Sequence, residues 1–476
     1  MKTNKLKLLV VAALLLGLPL ALTATQDEGR RLTVEDEDEG RRLTVEDAVA
    51  IALRNNLELS SEELTLEKRR RTRDTAWNRF IPTVSAGTTL ARPNETPSAI
   101  VGFDLGQPVE VEGPAWNISG ELAATLNLNL GSIYGIRAAR FDYEAGLIDI
   151  VDARNRIERD VRKAFFGLLV LDQQVLLRQE ALQIAAERLE QTMANYDSGL
   201  VDEFTLLSEE VSYENQRPEL EALLDRQRAA RRQFNRDLGL PLTTQLQLDG
   251  SIDPEMVQLD VERLIARKLP GATAIQQIQD GMRQLENAIL LAKSGGDPQT
   301  RGFYPSLTFR YAYNPTFQRD PFGDPWFDDV ADDWSDRGAF SITLTQPLDT
   351  FLPSSQTRTR ISNLETDLAD ARIAMESTFQ ALELQVRNLG ERLDQLQRNI
   401  ASRERNQRLA ERAFELAAEA YAAGTRELLD VRNAEQELQT AQLQVLQGKL
   451  EYIEALLDLQ YILNANGEQL GEQSND

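Results

Sequence analysis

Seven aspartates crowd the nineteen positions 319–337: Asp320, Asp324, Asp328, Asp329, Asp332, Asp333 and Asp336. Acid at that density could bind a cation, but the spacing lacks the Asp-x-Asp-x-Asp-Gly alternation of a calcium loop, and it reads as a solvated loop. Carboxylates are nonetheless the main reactive groups, since the chain has 76 Asp and Glu, 52 Lys and Arg, no histidine and no cysteine. Without histidine there is neither a Ser-His-Asp hydrolase nor a histidine-ligated metal centre. Without cysteine there is no disulfide and no thiolate site. Paired acids can hydrolyse glycosides, yet nothing in their arrangement singles out a pair. No Gly-x-x-x-x-Gly-Lys-Ser/Thr loop cradles phosphate. The sequence thus assigns no catalytic, cofactor or metal residue, and the reading is a protein that is not an enzyme. A formal net charge of −24 also argues against a nucleic-acid partner.

What the chain offers in place of catalytic groups is length. From 354 to 464 there is no proline, and the one break is Tyr421-Ala-Ala423-Gly424-Thr425-Arg426-Glu-Leu-Leu-Asp430. The run before the break, about 354–421, reads as a single helix roughly 100 Å long at 1.5 Å per residue. Globular helices seldom pass about 25 residues. A second long helix, about 134–195, ends in a similar turn at 196–201. A shift of 225 positions lays Tyr196-Asp-Ser198-Gly199-Leu200 on Tyr421-Ala-Ala423-Gly424-Thr425. The same shift lays Val161 on Val386, Leu168 on Leu393, Leu171 on Leu396, Phe204 on Leu429, Phe234 on Leu459 and Leu238 on Leu463. Constant register over so long a span reads as an internal duplication.

Each repeat also changes period from 3.6 to 2. Over 116–130 the even positions are Trp116, Ile118, Gly120, Leu122, Ala124, Leu126, Leu128 and Leu130, and the odd ones are mainly Asn, Ser, Thr and Glu. Such alternation predicts a strand with one apolar and one polar face. Shorter strands are predicted at 83–91, 306–314 and 339–348, with connections 92–114 and 315–337 rich in Pro, Gly and acid. The first repeat spans 44–240, opening with a helix over 45–79 capped by Thr44. A connector follows at 241–260, and the second repeat, 261–464, opens with a helix over 261–293. Lys2, Lys5 and Lys7 precede an apolar run, so residues 1–24 read as a secretory signal peptide. Its removal takes the charge from −24 to −27. Residues 25–43 read as a flexible segment, in which the words of 28–36 recur at 39–47, and 465–476 as a disordered tail.

The fold class is therefore mainly α with β, built from two helix-strand-strand-helix-helix repeats. The two-faced strands fit either a half-buried sheet in a soluble α+β protein or a transmembrane barrel with its apolar side to lipid. Four strands cannot close a barrel, and open edges are not tolerated in lipid. On the second reading other copies must complete it, three copies giving twelve strands continued by an α-helical tube.

These features resemble the TolC-like outer-membrane efflux channels over about 43–464. The marks are Ile81-Pro82-Thr-Val-Ser, Tyr304-Pro305-Ser-Leu-Thr, Gln346-Pro347-Leu348 and Tyr421-Ala-Ala-Gly-Thr-Arg-Glu-Leu-Leu-Asp-Val-Arg-Asn-Ala. The resemblance implies a homotrimer with a twelve-stranded β-barrel in outer-membrane lipid, continuous with a periplasmic helical barrel. It implies a passive exit channel for efflux or type I secretion, served by a periplasmic adaptor and an inner-membrane transporter. It places adaptor docking at Ser198, Gly199, Leu200, Ala423, Gly424 and Thr425. It places a periplasmic gate at Tyr421, Arg426 and Asp430, where Asn433 stands for an expected ring aspartate and Thr205 for the aspartate that would partner the gate tyrosine. The alternative is a periplasmic helical-hairpin adaptor or structural coiled coil, which would need no lipid-facing strands.

Overall fold

A computed structural model describes residues 42–95, 98–104, 107–324, 326 and 334–465 of the chain. The expected signal peptide, most of the 25–43 segment, residues 325 and 327–333 of the aspartate loop and residues 466–476 lie outside the described residues. By Cα proximity the described chain divides into two compact units, one drawn from 70–142 and 283–369, the other from 42–69, 143–282 and 370–465.

The second unit holds the helical cores. Helix α1 (Val45–Asn55) starts at a capping box: the Thr44 hydroxyl accepts from the Asp47 amide, and the Asp47 carboxylate accepts from the Thr44 amide. Ahead of it β1 (Arg42–Leu43) pairs in parallel with β6 (Gln247–Leu248). The sequence predicts one helix over 45–79, whereas the structure breaks it at Asn56. That residue is extended, and its Oδ1 accepts from the amides of Glu58 and Leu59 at 2.9 and 3.2 Å. A side chain that competes with the backbone for its own hydrogen bonds ends one helix and caps the next, here α2 (Leu57–Thr75).

The long helices are α3 (Gly131–Asp197) and α7 (Gln356–Ala422), each of 67 residues. Their boundaries differ by the sequence offset at both ends: 131 + 225 = 356 and 197 + 225 = 422. The return helices α4 (Glu203–Asp237) and α8 (Leu428–Leu463) begin at the same offset, 203 + 225 = 428. Val161, Leu168, Leu171, Phe234 and Leu238 are all buried, as are Val386, Leu393, Leu396, Leu459 and Leu463, while Phe204 and Leu429 are both exposed. The two cores are therefore built on matching positions, with one exchange of volume. Phe165, fully buried in the first core, corresponds to Gly390 (165 + 225 = 390), where a Cβ would lie 2.5 Å from Val261 Cγ2. The second core fills with Val261 the space that the ring fills in the first. The helix predicted over 261–293 is likewise interrupted, into α5 (Val261–Arg267) and α6 (Thr273–Lys293), by a 3₁₀ turn at Leu269–Gly271. Pro270 at its centre has no N–H to donate.

The first unit holds the sheet. Strands β2 (Thr83–Ala91), β5 (Asn117–Leu128), β7 (Ser306–Tyr313) and β10 (Phe340–Thr345) lie side by side in that order, antiparallel throughout. The connections carry strands that the sequence reading did not place. In 92–114 β3 (Ser98–Asp104) pairs with β4 (Gln107–Glu112), and in 315–337 β8 (Pro315–Phe317) pairs with β9 (Trp334–Asp336). The β3–β4 pair is a separate two-stranded ribbon, whereas β8 also pairs with β5, Thr316 opposite Ser119, so β8 and β9 extend the main sheet to six strands.

Register sorts the four main strands into rungs. Val84, Ala124, Tyr311 and Phe340 form one; Leu126, Phe309 and Ile342 the next; Leu128, Leu307 and Leu344 a third. The opposite face carries Thr83, Thr125, Arg310 and Ser341, then Asn127, Thr308 and Thr343. There Thr308 donates to Asn127 at 2.7 Å and Arg310 pairs with Glu121. The apolar rungs are not covered: Val84 is 70% exposed, Phe340 63%, Ile342 57% and Leu344 70%. At the two edges, every residue of β2 and of β10 is exposed.

Within this unit Gly131 and Gly296 approach so closely that a Cβ on Gly296 would meet Gly131 Cα at 2.7 Å and its oxygen at 2.8 Å. Backbone atoms cannot swing aside. Gly296→Ala is expected to destabilise the protein by about 1–3 kcal/mol, read as a lower thermal midpoint. Gly167→Ala, in α3 with nothing within 4 Å of the added Cβ, is expected to leave the midpoint unchanged or raise it.

Candidate functional site

The two turns that close the helical hairpins have the same hydrogen bonds. Gly199 donates to the Tyr196 carbonyl at 2.9 Å and Leu200 to that of Asn195 at 2.8 Å; Gly424 donates to Tyr421 and Thr425 to Ala420, both at 2.9 Å. The glycines sit at φ +71° and +72°, the left-handed conformation that ends a helix in a Schellman turn. Ser198 Oγ donates back to Ala194 and Thr425 Oγ1 to Ala420. The polar side chains of both turns thus fold onto their own helices. Ala423, Leu200 and both glycines are exposed, and a Cβ on either glycine would meet nothing within 4 Å. Glycine is required here for backbone conformation, and open space lies beyond it.

Past the first turn Asp202 caps α4, accepting from the Thr205 amide at 3.0 Å and from the Thr205 hydroxyl. These bonds to Thr205 hold the Asp202 carboxyl below the usual carboxylate range. Thr205, which stands where an aspartate would partner the gate tyrosine, makes no bond to Tyr421 within the chain. Thr205 is committed to Asp202, and the Tyr421 hydroxyl makes no hydrogen bond among the described residues. Past the second turn Arg426 Nη1 stands 3.2 Å from Asp430 Oδ2, one helical turn apart. Two of the sequence-predicted gate residues are therefore partners of one another. Asn433 is exposed on the following turn of α8.

Two features beside the turns were not read from the sequence. One is an apolar line on the start of α4 and just before it, in which Leu200 is 75% and Phe204 78% exposed, with Leu207 and Val211 also exposed. The spacing i, i+4, i+7, i+11 was there to be read as one helix face. The other is a pair of buried ion pairs. Arg188 of α3 meets Glu435 of α8, both only 11% exposed, and Arg432 of α8 meets Glu209 of α4 at 3.3 Å, where Glu209 is 4% exposed. Only the packing of the helices distinguishes these charges from the many solvated ones. They tie α8 to both helices of the first hairpin.

Among the described residues no group of three acidic side chains could hold a metal ion, and no helix is long and apolar enough to cross a membrane. The site consists of two glycine turns with their flanking charges, and a sheet with one apolar and one polar face.

The sequence profile of the outer membrane efflux protein family matches residues 48–240 and 282–465. That is most of the chain, and the protein belongs to this family. Its fold is that of solved outer-membrane channels. It is similar to the Campylobacter jejuni CmeC outer membrane channel, at TM-score 0.72 and 14% identity, over 90% of this chain and 87% of that one. It is similar to the outer membrane protein VceC of Vibrio cholerae, at 0.68 and 16%, over 89% and 96%. The open state of the Neisseria gonorrhoeae MtrE outer membrane channel aligns at 0.68 and 18%, over 90% and 91%. No curated protein matches the sequence.

Removing one member of a buried pair leaves the other charge uncompensated. Glu435→Ala is expected to cost about 3 kcal/mol or more, measured by chemical denaturation. The double change Arg188→Met with Glu435→Met is expected to recover most of that loss, and equal losses in both variants would show that the pair is not the cause.

Proposed function

We propose that three copies of the chain close a twelve-stranded barrel in the outer membrane. The long hairpins then form a periplasmic conduit that meets an adaptor and an inner-membrane transporter of an efflux or type I secretion system. The single observation that supports this best is the set of four main strands, with exposed apolar side chains on one face, polar side chains on the other, and β2 and β10 each paired on one side only. Lipid fits the first face, a water-filled lumen the second, and β2 and β10 of neighbouring copies would satisfy each other's edges. A helical-hairpin adaptor has no use for such a sheet. Transport through the conduit is passive, with energy supplied by the partner transporter.

In this reading the turns at Ser198-Gly199-Leu200 and Ala423-Gly424-Thr425 are the periplasmic tips. The open space over each glycine lets another backbone approach closely, and Leu200 and Phe204 supply apolar contact. Threefold symmetry would gather three Asp430 carboxylates round one axis, with Tyr421 and Arg426 beside them, which favours cations. Arg426 offsets part of that charge, and with Asn433 and Thr205 in place of acids the gate is less charged and less cross-linked than the family resemblance implies.

Extraction of outer membranes in mild detergent, mass measurement and planar-bilayer recording test the proposal together. A trimer that conducts ions is expected; a monomer in the soluble periplasmic fraction would favour the adaptor reading. Asp430→Asn is expected to lower the cation-over-anion permeability ratio by roughly two- to fivefold, and an unchanged ratio would remove Asp430 from the gate. Gly424→Trp is expected to block export in cells while the trimer mass stays the same, and normal export would count against docking at that tip.

A further inference from the structure

A concavity of about 600 Å³ involves the segments that lead into β7 and out of β10, lined by Lys293, Phe303, Pro353, Arg358, Ile361 and Glu365 among others. Phe303 and Ile361 contribute apolar lining, and Lys293 and Arg358 set two positive charges against the single carboxylate of Glu365. Phe303 packs against Phe351 with ring centroids 5.7 Å apart, and the Arg358 guanidinium lies over the Phe303 ring at 5.8 Å. Lys293 stands 3.4 Å from Glu365. Arg358 has no carboxylate partner among the described residues, in a chain whose acids outnumber its bases by 76 to 52. An arginine held on an aromatic face and left without an acid is placed to meet an anion from outside the chain.

The position of the concavity identifies the anion. Phe303 precedes β7 on the same alternate-residue line as Leu307 and Phe309, and Arg358 follows β10, whose Leu344 and Ile342 are bare. Leu348, Phe351 and Leu352, between β10 and Arg358, are exposed as well. Exposed apolar residues therefore run along the chain from β10 to the segment just before Arg358. A phosphate on a diacyl tail matches both parts: the headgroup meets Arg358 and Lys293, and the acyl chains lie along the rungs. We propose that this concavity binds an anionic phospholipid of the periplasmic leaflet, one molecule per protomer. The proposal rests on the channel reading, since it needs the apolar rungs in lipid.

Native mass spectrometry of the detergent-purified trimer tests it, with phosphatidylglycerol and phosphatidylcholine of matched acyl chains as probes. The wild type is expected to retain phosphatidylglycerol in preference, up to three molecules per trimer. The double variant Lys293→Gln, Arg358→Gln is expected to lose that affinity by roughly tenfold or more, with trimer mass and conductance unchanged. Arg358→Lys, which keeps the charge, is expected to retain most of the binding. Equal retention of the two lipids by the wild type, or undiminished retention by the double variant, would overturn the proposal while leaving a conducting trimer in place. A chain that neither trimerises nor conducts would instead remove the channel reading, and the lipid site with it.

Discussion

A β-strand presents backbone N–H and C=O groups on both sides, and each needs a partner wherever water is excluded. In the four-stranded sheet β5 and β7 are satisfied on both sides, while β2 and β10 have one partner each. Water could serve the outer edges, but the apolar side chains along them, Val84, Phe340, Ile342 and Leu344, are largely exposed too. A surface that is better placed in hydrocarbon, bounded by edges that hydrocarbon cannot satisfy, has few stable outcomes. In the proposed trimer, closure through further copies of the same chain pairs the outer edges of β2 and β10.

The duplication makes that closure economical. Each repeat contributes two strands and a long helical hairpin, and the shared offset of 225 keeps helix lengths, turns and buried positions equivalent in both. Equivalence is not identity, however. Phe165 and Gly390 exchange volume with Val261, and the ion pairs of Glu209 and Glu435 have no counterpart at the matching positions, Ala434 and Glu210. The two halves share a backbone plan and differ where their helices must fit particular neighbours. The charged ties on α8 fall near the turns, where the proposed gate requires that helix position be fixed.

Much of the fold was legible because its signals are local. Alternation over 116–130 identified a strand by side-chain period alone, and Gly199 and Gly424 marked the turns because only glycine accepts that backbone conformation without strain. What was not legible depended on competition or on partners. Asn56 looked like one more helical residue until its side chain took the amides of Glu58 and Leu59. The β3–β4 and β8–β9 pairs were hidden in connections that read as loops rich in Pro, Gly and acid. Arg188 and Glu435 looked like solvated charges because burial on a helix face is set by the neighbouring helix. Thr205, standing where the resemblance implies an aspartate, is claimed by Asp202, the residue that caps α4.

The central claim is that β2 of one copy pairs with β10 of another. The chain has no cysteine, so one cysteine on each edge strand, for example at Thr89 and at Thr343, reports proximity without background. Scanning such pairs along β2 and β10 in cells and oxidising the membranes should yield covalent dimers and trimers at a set of positions alternating along the strands. Chains that remain monomeric at every position, or that cross-link only within themselves, would contradict closure by sister copies.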